Sequence, residues 1–332
     1  MAVARSDMTA TTLRTGKVLI AGGYDQHTVA LASAELYDPA SGSFQSTGSL
    51  AYARAGHTAT VLPDGRVLIA GGLGTADMPL QGEIYDASTG KFTTVGPMTT
   101  PRLYHTATLL GDGRVLLAGG RTQTMQKVEQ LASAELFDPS TSTFTATGSM
   151  SVPRESAGAA AVPSGKVLIA GGANQAGIQA SAEMFDPTVG RFQLAGPMVA
   201  ARAGESVTLL PGGRVLVAGG QGMPGGSNLS SAELFDPSSG TFVATGTMTA
   251  SRSHQSVAVL TNGHVLLLGG DRPQYATTET YDDRSGTFVA GPSMGESRRS
   301  PATAAIVEGR VLIVGGVVGA TAATDSALIY TP

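Results

Sequence analysis

Position-specific polar residues that follow a recurrent arginine are the side chains in this sequence most able to carry chemistry. They are Asp7, His57, Tyr104, His105, Glu155, Glu205, His254 and Arg299, joined by the loop residues Arg121, Asp271 and Arg272. Glutamate and histidine can transfer protons, and imidazole with carboxylate suits several divalent metal ions. Glu155, Glu205 and His254 are therefore the candidates for catalysis, and the remaining residues are candidates for ligand binding.

The arginine itself recurs four residues after a methionine or leucine. It occurs as Arg5, Arg54, Arg102, Arg154, Arg202, Arg252 and Arg298, and a recurrent glutamate occurs as Glu35, Glu83, Glu135, Glu183, Glu233 and Glu279, with Leu328 in the last copy. Charges placed alike in every copy favour recurring arginine–carboxylate pairs between strands. The alternative is a ring of arginines around a central opening, able to attract a carboxylate or an acidic peptide.

A repeat that fills the chain must position these residues. Each copy has an apolar run closing on Gly-Gly, and the second glycines fall at 23, 72, 120, 172, 220, 270 and 316. This spacing is typical of one four-stranded propeller blade. The sequence therefore predicts an all-β, seven-bladed propeller as a single domain over 1–332, with repeats at 1–49, 50–97, 98–149, 150–197, 198–247, 248–293 and 294–332.

Four strands, A to D, are predicted in each blade. Glycine in the second place of a two-residue turn predicts an A–B hairpin, as at Asp64-Gly65, and the apolar strand B should be buried on both faces. Strand C carries an aromatic before Asp-Pro or a variant of it, and strand D carries one phenylalanine. Strands A, B and C occur seven times but D only six, and no segment before Met1 is expected to supply the seventh. The last blade should have three strands, with an unpaired apolar edge at 327–330 that another chain covers or that promotes self-association.

The paired glycines, the aromatics in strands C and D and the spacing resemble the kelch repeat over essentially the whole chain. Phenylalanine stands in strand D where kelch repeats commonly carry tryptophan. Ser133 to Pro139 is similar to repeats of bacterial kelch arrays at the cell surface, which implies an extracellular location, although residues 1–8 lack the apolar region of a signal peptide. The resemblance implies that strand A is innermost, so B–C loops and D–A crossings would surround the central opening.

Composition and motifs narrow the functional classes. A net charge of −4 gives no electrostatic case for nucleic acid, and no apolar run approaches the roughly 20 residues that span a bilayer. The chain has no cysteine, which removes disulfides, thiolate ligands and the crosslinked tyrosine on which the galactose oxidase copper site depends. The iron motif of nitrile-specifier propellers is matched by Glu279 and Asp283, but Thr287 replaces its histidine. No metal and no cofactor are expected.

Two functions remain. The first is a non-enzymatic propeller that binds a protein, peptide or glycan at the face formed by B–C loops and D–A crossings. The second is a small-molecule isomerase or lyase at the central opening, similar to the kelch sialate mutarotase, with Glu155, Glu205 or His254 transferring protons. A Glu205 or His254 with a perturbed pKa in a deep, closed pocket would favour the enzyme. A shallow, open funnel would favour the binding function.

Overall fold

Seven antiparallel sheets form one closed ring. The computed structural model describes residues 1–75, 77–124, 127–223, 226–270, 276–319 and 322–332. Six sheets have four strands in the order A–B–C–D, and the seventh has three. The prediction of an all-β, seven-bladed propeller with a three-stranded last blade is confirmed.

The strands follow chain order blade by blade. Blades 1 to 3 contain β1 (Thr9–Thr12), β2 (Val18–Ala21), β3 (Ala34–Asp38), β4 (Ser43–Ser46); β5 (Thr58–Val61), β6 (Val67–Ala70), β7 (Gln81–Asp86), β8 (Lys91–Pro97); β9 (Thr106–Leu109), β10 (Val115–Ala118), the ribbon β11 (Arg121–Gln123) and β12 (Val128–Gln130), β13 (Ala134–Asp138) and β14 (Thr143–Ala146). Blades 4 and 5 contain β15 (Gly158–Ala161), β16 (Val167–Ala170), the ribbon β17 (Ala173–Asn174) and β18 (Gly177–Ile178), β19 (Ala182–Asp186), β20 (Arg191–Leu194); β21 (Ser206–Leu209), β22 (Val215–Ala218), β23 (Leu229–Asp236) and β24 (Thr241–Arg252). Blades 6 and 7 contain β25 (Ser256–Val259), β26 (Val265–Leu268), β27 (Thr278–Asp282), β28 (Thr287–Ala290); β29 (Ala302–Ala305), a 3₁₀ turn at Val307–Gly309, β30 (Val311–Val314), the ribbon β31 (Val317–Val318) and β32 (Ala322–Ala323), and β33 (Ala327–Tyr330).

Tight A–B turns bring the first two strands of every blade together. Gly65, for example, has φ +92° in the turn between β5 and β6. A residue with a Cβ would be strained in this conformation, so glycine recurs there. Strands A therefore pair directly with strands B, and strands C and D complete the sheet outward.

The core consists of apolar layers between neighbouring blades. In β6, Leu68 and Ala70 pack toward blade 3, where they meet Phe137. Val67 and Ile69 of the same strand pack toward blade 1. Strand B is thus buried on both faces because a blade lies on each side of it, as its uniformly apolar sequence predicts.

Blades 1 and 7 close the ring. Met8, Val18 and Ile20 of the first blade pack with Leu312 and Val314 of the last. Strands β1 and β29 lie side by side, so strands A form a continuous inner wall. Among the described residues, no helical segment has the length and apolar character needed to cross a membrane.

Candidate functional site

The recurrent arginines lie inside the blades. All seven are at most 1% exposed. Arg102 is typical: its Nη1 donates to the carbonyl oxygens of Gly119 at 2.9 Å and Ser133 at 2.8 Å, and its Nη2 donates to Glu135 Oε1 at 2.9 Å. Because the planar guanidinium offers several donors in fixed directions, one side chain fastens both the glycine pair and the start of strand C. The arginines do not line the opening, so the interpretation as recurring arginine–carboxylate pairs is the one that fits the structure.

The paired glutamates fasten the crossing between blades. Glu135 Oε2 accepts from the backbone N–H of Thr99 at 2.6 Å, and its Oε1 lies 3.3 Å from the backbone nitrogen of Thr100. The five other pairs have nitrogen–oxygen distances of 2.7–3.2 Å. Burial lowers the pKa of Arg102 and the charge of Glu135 opposes this shift. A buried ion pair of this kind is tolerated because its remaining polar atoms are also hydrogen-bonded.

A ring of left-handed residues surrounds the central opening. These residues stand two positions after each buried arginine and two positions before the start of strand A, with φ between 47° and 66°. We call them the mouth residues: Asp7, Gly56, Tyr104, Ser156, Gly204, His254 and Ser300. Successive blades are joined here by backbone hydrogen bonds, from Ser156 N to Tyr104 O at 3.0 Å and from Gly204 N to Ser156 O at 2.9 Å. The backbone therefore fixes the rim, and the side chains differ from blade to blade.

Two rings lie over glycines of the rim. A Cβ added to Gly56 would lie 3.2 Å from the ring of Tyr104, and one added to Gly204 would lie 2.7 Å from the imidazole of His254. Each ring thus occupies space that only glycine leaves free. Tyr104 and His254 come from blades three apart in a ring of seven, so they flank the opening from nearly opposite sides.

A polar cluster extends the rim between blades 3 and 4. The guanidinium of Arg121 lies 5.1 Å from the ring centre of Tyr104 and donates to Glu155 Oε2 at 3.1 Å. Gln130 donates to Glu155 Oε1 at 3.0 Å. Tyr104 remains 37% exposed. We call Tyr104, Arg121, Gln130 and Glu155 the mouth cluster, which presents a partly open aromatic face beside a fixed ion pair.

Electrostatics extend the mouth cluster to blade 1. Burial raises the pKa of Tyr104 to about 12, and the negative charge of Asp7 contributes to the shift. Burial and Asp7 also raise the pKa of Tyr24, and Arg121 opposes both shifts. These side chains act on one another, so both phenols stay neutral hydrogen-bonding groups around a carboxylate and a guanidinium.

His57 and His105 lie between blades and away from the rim. Each is 6% exposed. Their Nε2 atoms hydrogen-bond to Thr9 Oγ1 at 3.1 Å and Thr58 Oγ1 at 3.0 Å in the preceding blade. Burial, followed by the charge of the neighbouring arginine, lowers the pKa of both to about 3. The expectation that they line the opening is corrected, because both side chains are buried against the preceding blade and point away from the opening.

Glu205 occupies the same inter-blade position in blade 5. It is 9% exposed, and its Oε1 accepts from the backbone N–H of Gly158 at 3.2 Å. Its Oε2 has no hydrogen-bond partner among the described residues. Burial raises the pKa of Glu205 to about 8 although Arg202 and His254 oppose this. Glu205 is therefore a neutral carboxylic acid under the rim at neutral pH, next to His254.

Three further residues were predicted from the sequence to bind a ligand. Arg299 is exposed, and its backbone pairs with Val317. Asp271 and Arg272 lie outside the described residues. Gln130 was not predicted as a site residue, because a single glutamine in a loop does not indicate a particular chemistry. Ser156 and Ser300 were not predicted either, although their fixed offset from the arginine could have revealed them.

Comparisons with known proteins place the fold. No family model matches the chain. No curated protein matches it either. Among solved structures, it is similar to a novel fungal alcohol oxidase with catalytic diversity among the AA5 family, in complex with copper. The TM-score is 0.75 at 16% identity, covering 94% of this chain and 70% of that one. At this identity the likeness shows the fold alone.

The described residues do not match a metal site of histidine, cysteine and carboxylate ligands. They contain no group of three or more His, Cys, Asp or Glu side chains that could hold an ion. His57 and His105 each use Nε2 on a threonine in a different blade. Glu155 has both carboxylate oxygens in hydrogen bonds.

Proposed function

We propose that this protein is a non-enzymatic binding propeller that holds a protein, peptide or glycan ligand at its mouth. The observation that carries the proposal is the mouth cluster, in which Tyr104 stays open to solvent beside the Arg121–Glu155 ion pair. Polar groups that differ between blades, placed around a concave opening on a rigid ring, are typical of recognition sites.

The chemistry of the rim supports a polar ligand with apolar patches. Tyrosine offers a large, rigid face with a hydroxyl at its edge, which suits both sugar rings and peptide side chains. Arg121 is 27% exposed at its side chain and is held in place by Glu155. A group already fixed before binding loses little conformational entropy when the ligand arrives.

We also propose that the repeat is of the kelch type. The glycine pairs, the aromatic of strand C and the phenylalanine of strand D support this assignment. Six such aromatic pairs have ring centres 4.7–4.9 Å apart. The assignment would favour an extracellular or cell-surface location.

A second candidate function is an isomerase or lyase reaction at the same opening. The observation that favours it is Glu205, a buried acid next to His254 with a pKa of about 8 and an Oε2 that has no hydrogen-bond partner in the described part of the chain. A general acid or base works best with a pKa near the working pH. Glu205 is 9% exposed, so a substrate would reach it only after neighbouring groups had moved.

Replacing Tyr104 with glycine tests the binding function. Gly56 and Gly204 already occupy equivalent left-handed positions, so the backbone of Tyr104→Gly should be unstrained. Binding to a glycan array and to an immobilised peptide library should fall by about tenfold or more for the ligands that the wild type retains.

Ser300→Gly is the matched control. Ser300 has the same backbone conformation in blade 7 but lies outside the mouth cluster. Its replacement should leave binding unchanged. Equal binding by Tyr104→Gly and the wild type would contradict the site, and turnover of a bound sugar or acid that disappears in Glu205→Gln would favour the second candidate.

A further inference from the structure

The outer edge of the last blade lacks a strand that the other six blades possess. Strand β33 pairs with β30 on one side, and no described strand pairs with its other side. In the complete blades, strand D lies on this edge and its phenylalanine stands opposite the aromatic of strand C, as Phe44 stands opposite Tyr37. Tyr330 is the corresponding aromatic of β33, and no described ring packs against it.

A cavity of about 520 Å³ lies beside this edge, at the seam between blades 7 and 1. Its lining includes Tyr37, Phe44 and Leu312 together with Ala327 and Ile329 of β33. Ile329 is 39% exposed. The complete blades show what normally occupies the equivalent space, since strand D of one blade covers the aromatics of the next: Val95, for example, packs with Phe137 and Phe144.

A second difference from the complete blades is an unused backbone hydrogen-bond acceptor at the C–D turn of blade 1. In five blades, the glycine that follows strand D donates its N–H to the C–D turn of the next blade, as Gly48 does to Gly90 O at 2.9 Å and Gly246 to Gly286 O at 3.0 Å. The equivalent acceptor in blade 1 is the carbonyl oxygen of Gly42. It receives no such bond from the described residues.

A third difference concerns a tyrosine hydroxyl of blade 1, and it indicates which side chain strand D would supply there. The hydroxyl of Tyr85 hydrogen-bonds to Thr47 at 2.8 Å, and that of Tyr281 hydrogen-bonds to Thr245 at 2.8 Å. Each threonine stands three residues after the phenylalanine of the preceding strand D. Tyr37 is the equivalent tyrosine of blade 1, and its hydroxyl has no hydrogen bond to a described residue.

We propose that the edge of β33 binds an extended segment of another polypeptide that carries the pattern Phe-x-x-Thr-Gly. The phenylalanine packs on Tyr330, the threonine bonds to the Tyr37 hydroxyl, and the glycine N–H donates to Gly42 O. The segment pairs with β33 in antiparallel register and completes the seventh blade. Adding a strand to an exposed sheet edge obtains affinity from main-chain hydrogen bonds and specificity from side-chain pockets.

The chain itself supplies the probe. A fluorescent peptide with the sequence of residues 241–246, Thr-Phe-Val-Ala-Thr-Gly, should bind the intact protein in an anisotropy titration. A peptide with alanine in place of phenylalanine should bind about tenfold or more weakly, because the ring contact and its buried area are lost. The sequence of residues 287–292, Thr-Phe-Val-Ala-Gly-Pro, has glycine in place of the threonine and proline in place of the glycine, so it loses both the threonine hydroxyl and the glycine N–H and should also bind more weakly.

Tyr37→Phe separates the specific contact from general stickiness. Changing the peptide threonine to valine should weaken binding to the wild type but not to Tyr37→Phe, so the two changes should not be additive. Absence of saturable binding, or additive effects of the two changes, would overturn the proposal. A dimer in sedimentation that the peptide dissociates would show that a second copy occupies this edge and would also overturn it.

Discussion

Two neighbouring positions after each buried arginine differ in where their side chains lie. The residue two positions on adopts the left-handed conformation and lines the opening, as Tyr104 does. The residue three positions on, such as His105 or Glu205, is buried against the preceding blade. The left-handed residue reverses the direction of the chain, and this separates recognition from packing at adjacent side chains.

Glu205→Gln should remove a pH dependence of stability. Between pH 4.5 and about 8 the unfolded chain has lost the proton of Glu205 while the folded chain keeps it. The folded state is therefore destabilised as the pH rises through this window, by up to about 1.4 kcal/mol per pH unit. Urea unfolding at pH 5, 6.5 and 8 should show the variant gaining stability over the wild type as the pH rises.

Gln255 provides the matched control, because it occupies the equivalent position in blade 6. Its Nε2 donates to Ala218 O at 2.7 Å, which shows that an amide is accommodated there. Gln255→Glu should introduce a second loss of stability at high pH. Parallel pH profiles for the wild type and Glu205→Gln would show that Glu205 is not the titrating group.

At the scale of the element, the arginine–glutamate pair connects strand C, the glycine pair and the crossing from the preceding blade. Glu233 accepts from the backbone N–H of Val199 at 2.7 Å and pairs with Arg202 at 2.7 Å. Blade 7 lacks this glutamate. Arg298 lies 3.7 Å from Glu296, which is 55% exposed.

Arg202→Ala should therefore destabilise the protein more than Arg298→Ala. The first change leaves the buried carboxylate of Glu233 without its counter-charge, at a cost on the order of 3 kcal/mol. The second removes hydrogen bonds to Gly315 and Ser326 but strands no buried carboxylate. Chemical denaturation of both variants measures the difference.

Glu233→Gln on the Arg202→Ala background is the control, since it neutralises the stranded carboxylate. It should recover part of the lost stability. Equal losses for Arg202→Ala and Arg298→Ala would mean that the carboxylate contributes nothing, and the recurrent pair would then have no energetic role.

The sequence predicts the strands and turns better than it predicts the residues that line the opening. The apolar strands B and the turn glycines predict the blades because burial on both faces and positive φ each demand particular residue types. The rim is different, since Asp7, Tyr104 and His254 do not reveal a left-handed backbone by their residue type. Gly56 and Gly204 at the same offset carried that signal. The path of the chain at this point decides that His57 and His105 turn away from the opening, so their side-chain chemistry alone could not place them.

At the scale of the molecule, the ring is complete on its inner side and weaker at one seam. Arg5 N donates to Thr324 O at 3.1 Å and Gly316 N to Arg5 O at 2.8 Å, which joins the first blade to the last. Among the residues that the structure describes, the same seam has one strand and one buried ion pair fewer than the other six. Regions with fewer buried contacts open locally at a lower free-energy cost than the rest of a fold.

Amide hydrogen exchange should locate this weak seam. Strands β29, β30 and β33 should exchange faster than β15, β16, β21 and β22, which belong to complete blades. Addition of the Thr-Phe-Val-Ala-Thr-Gly peptide should slow exchange in β33 if it completes the blade. Exchange in β16 as fast as in β30 would show that closure, and not blade completeness, sets local stability.

The backbone ring at the mouth has a consequence for how new specificities could evolve. Main-chain bonds join four neighbouring pairs of mouth residues, as from His254 N to Gly204 O at 2.7 Å, so these parts of the rim are held by groups that nearly every residue type carries. Each duplicated repeat therefore contributes one variable site, although Gly56 and Gly204 cannot change without displacing the rings of Tyr104 and His254. Glycine, asparagine, aspartate and histidine should be favoured at this site, because they adopt the left-handed backbone most readily. A lineage could alter its ligand one blade at a time while the scaffold is inherited unchanged.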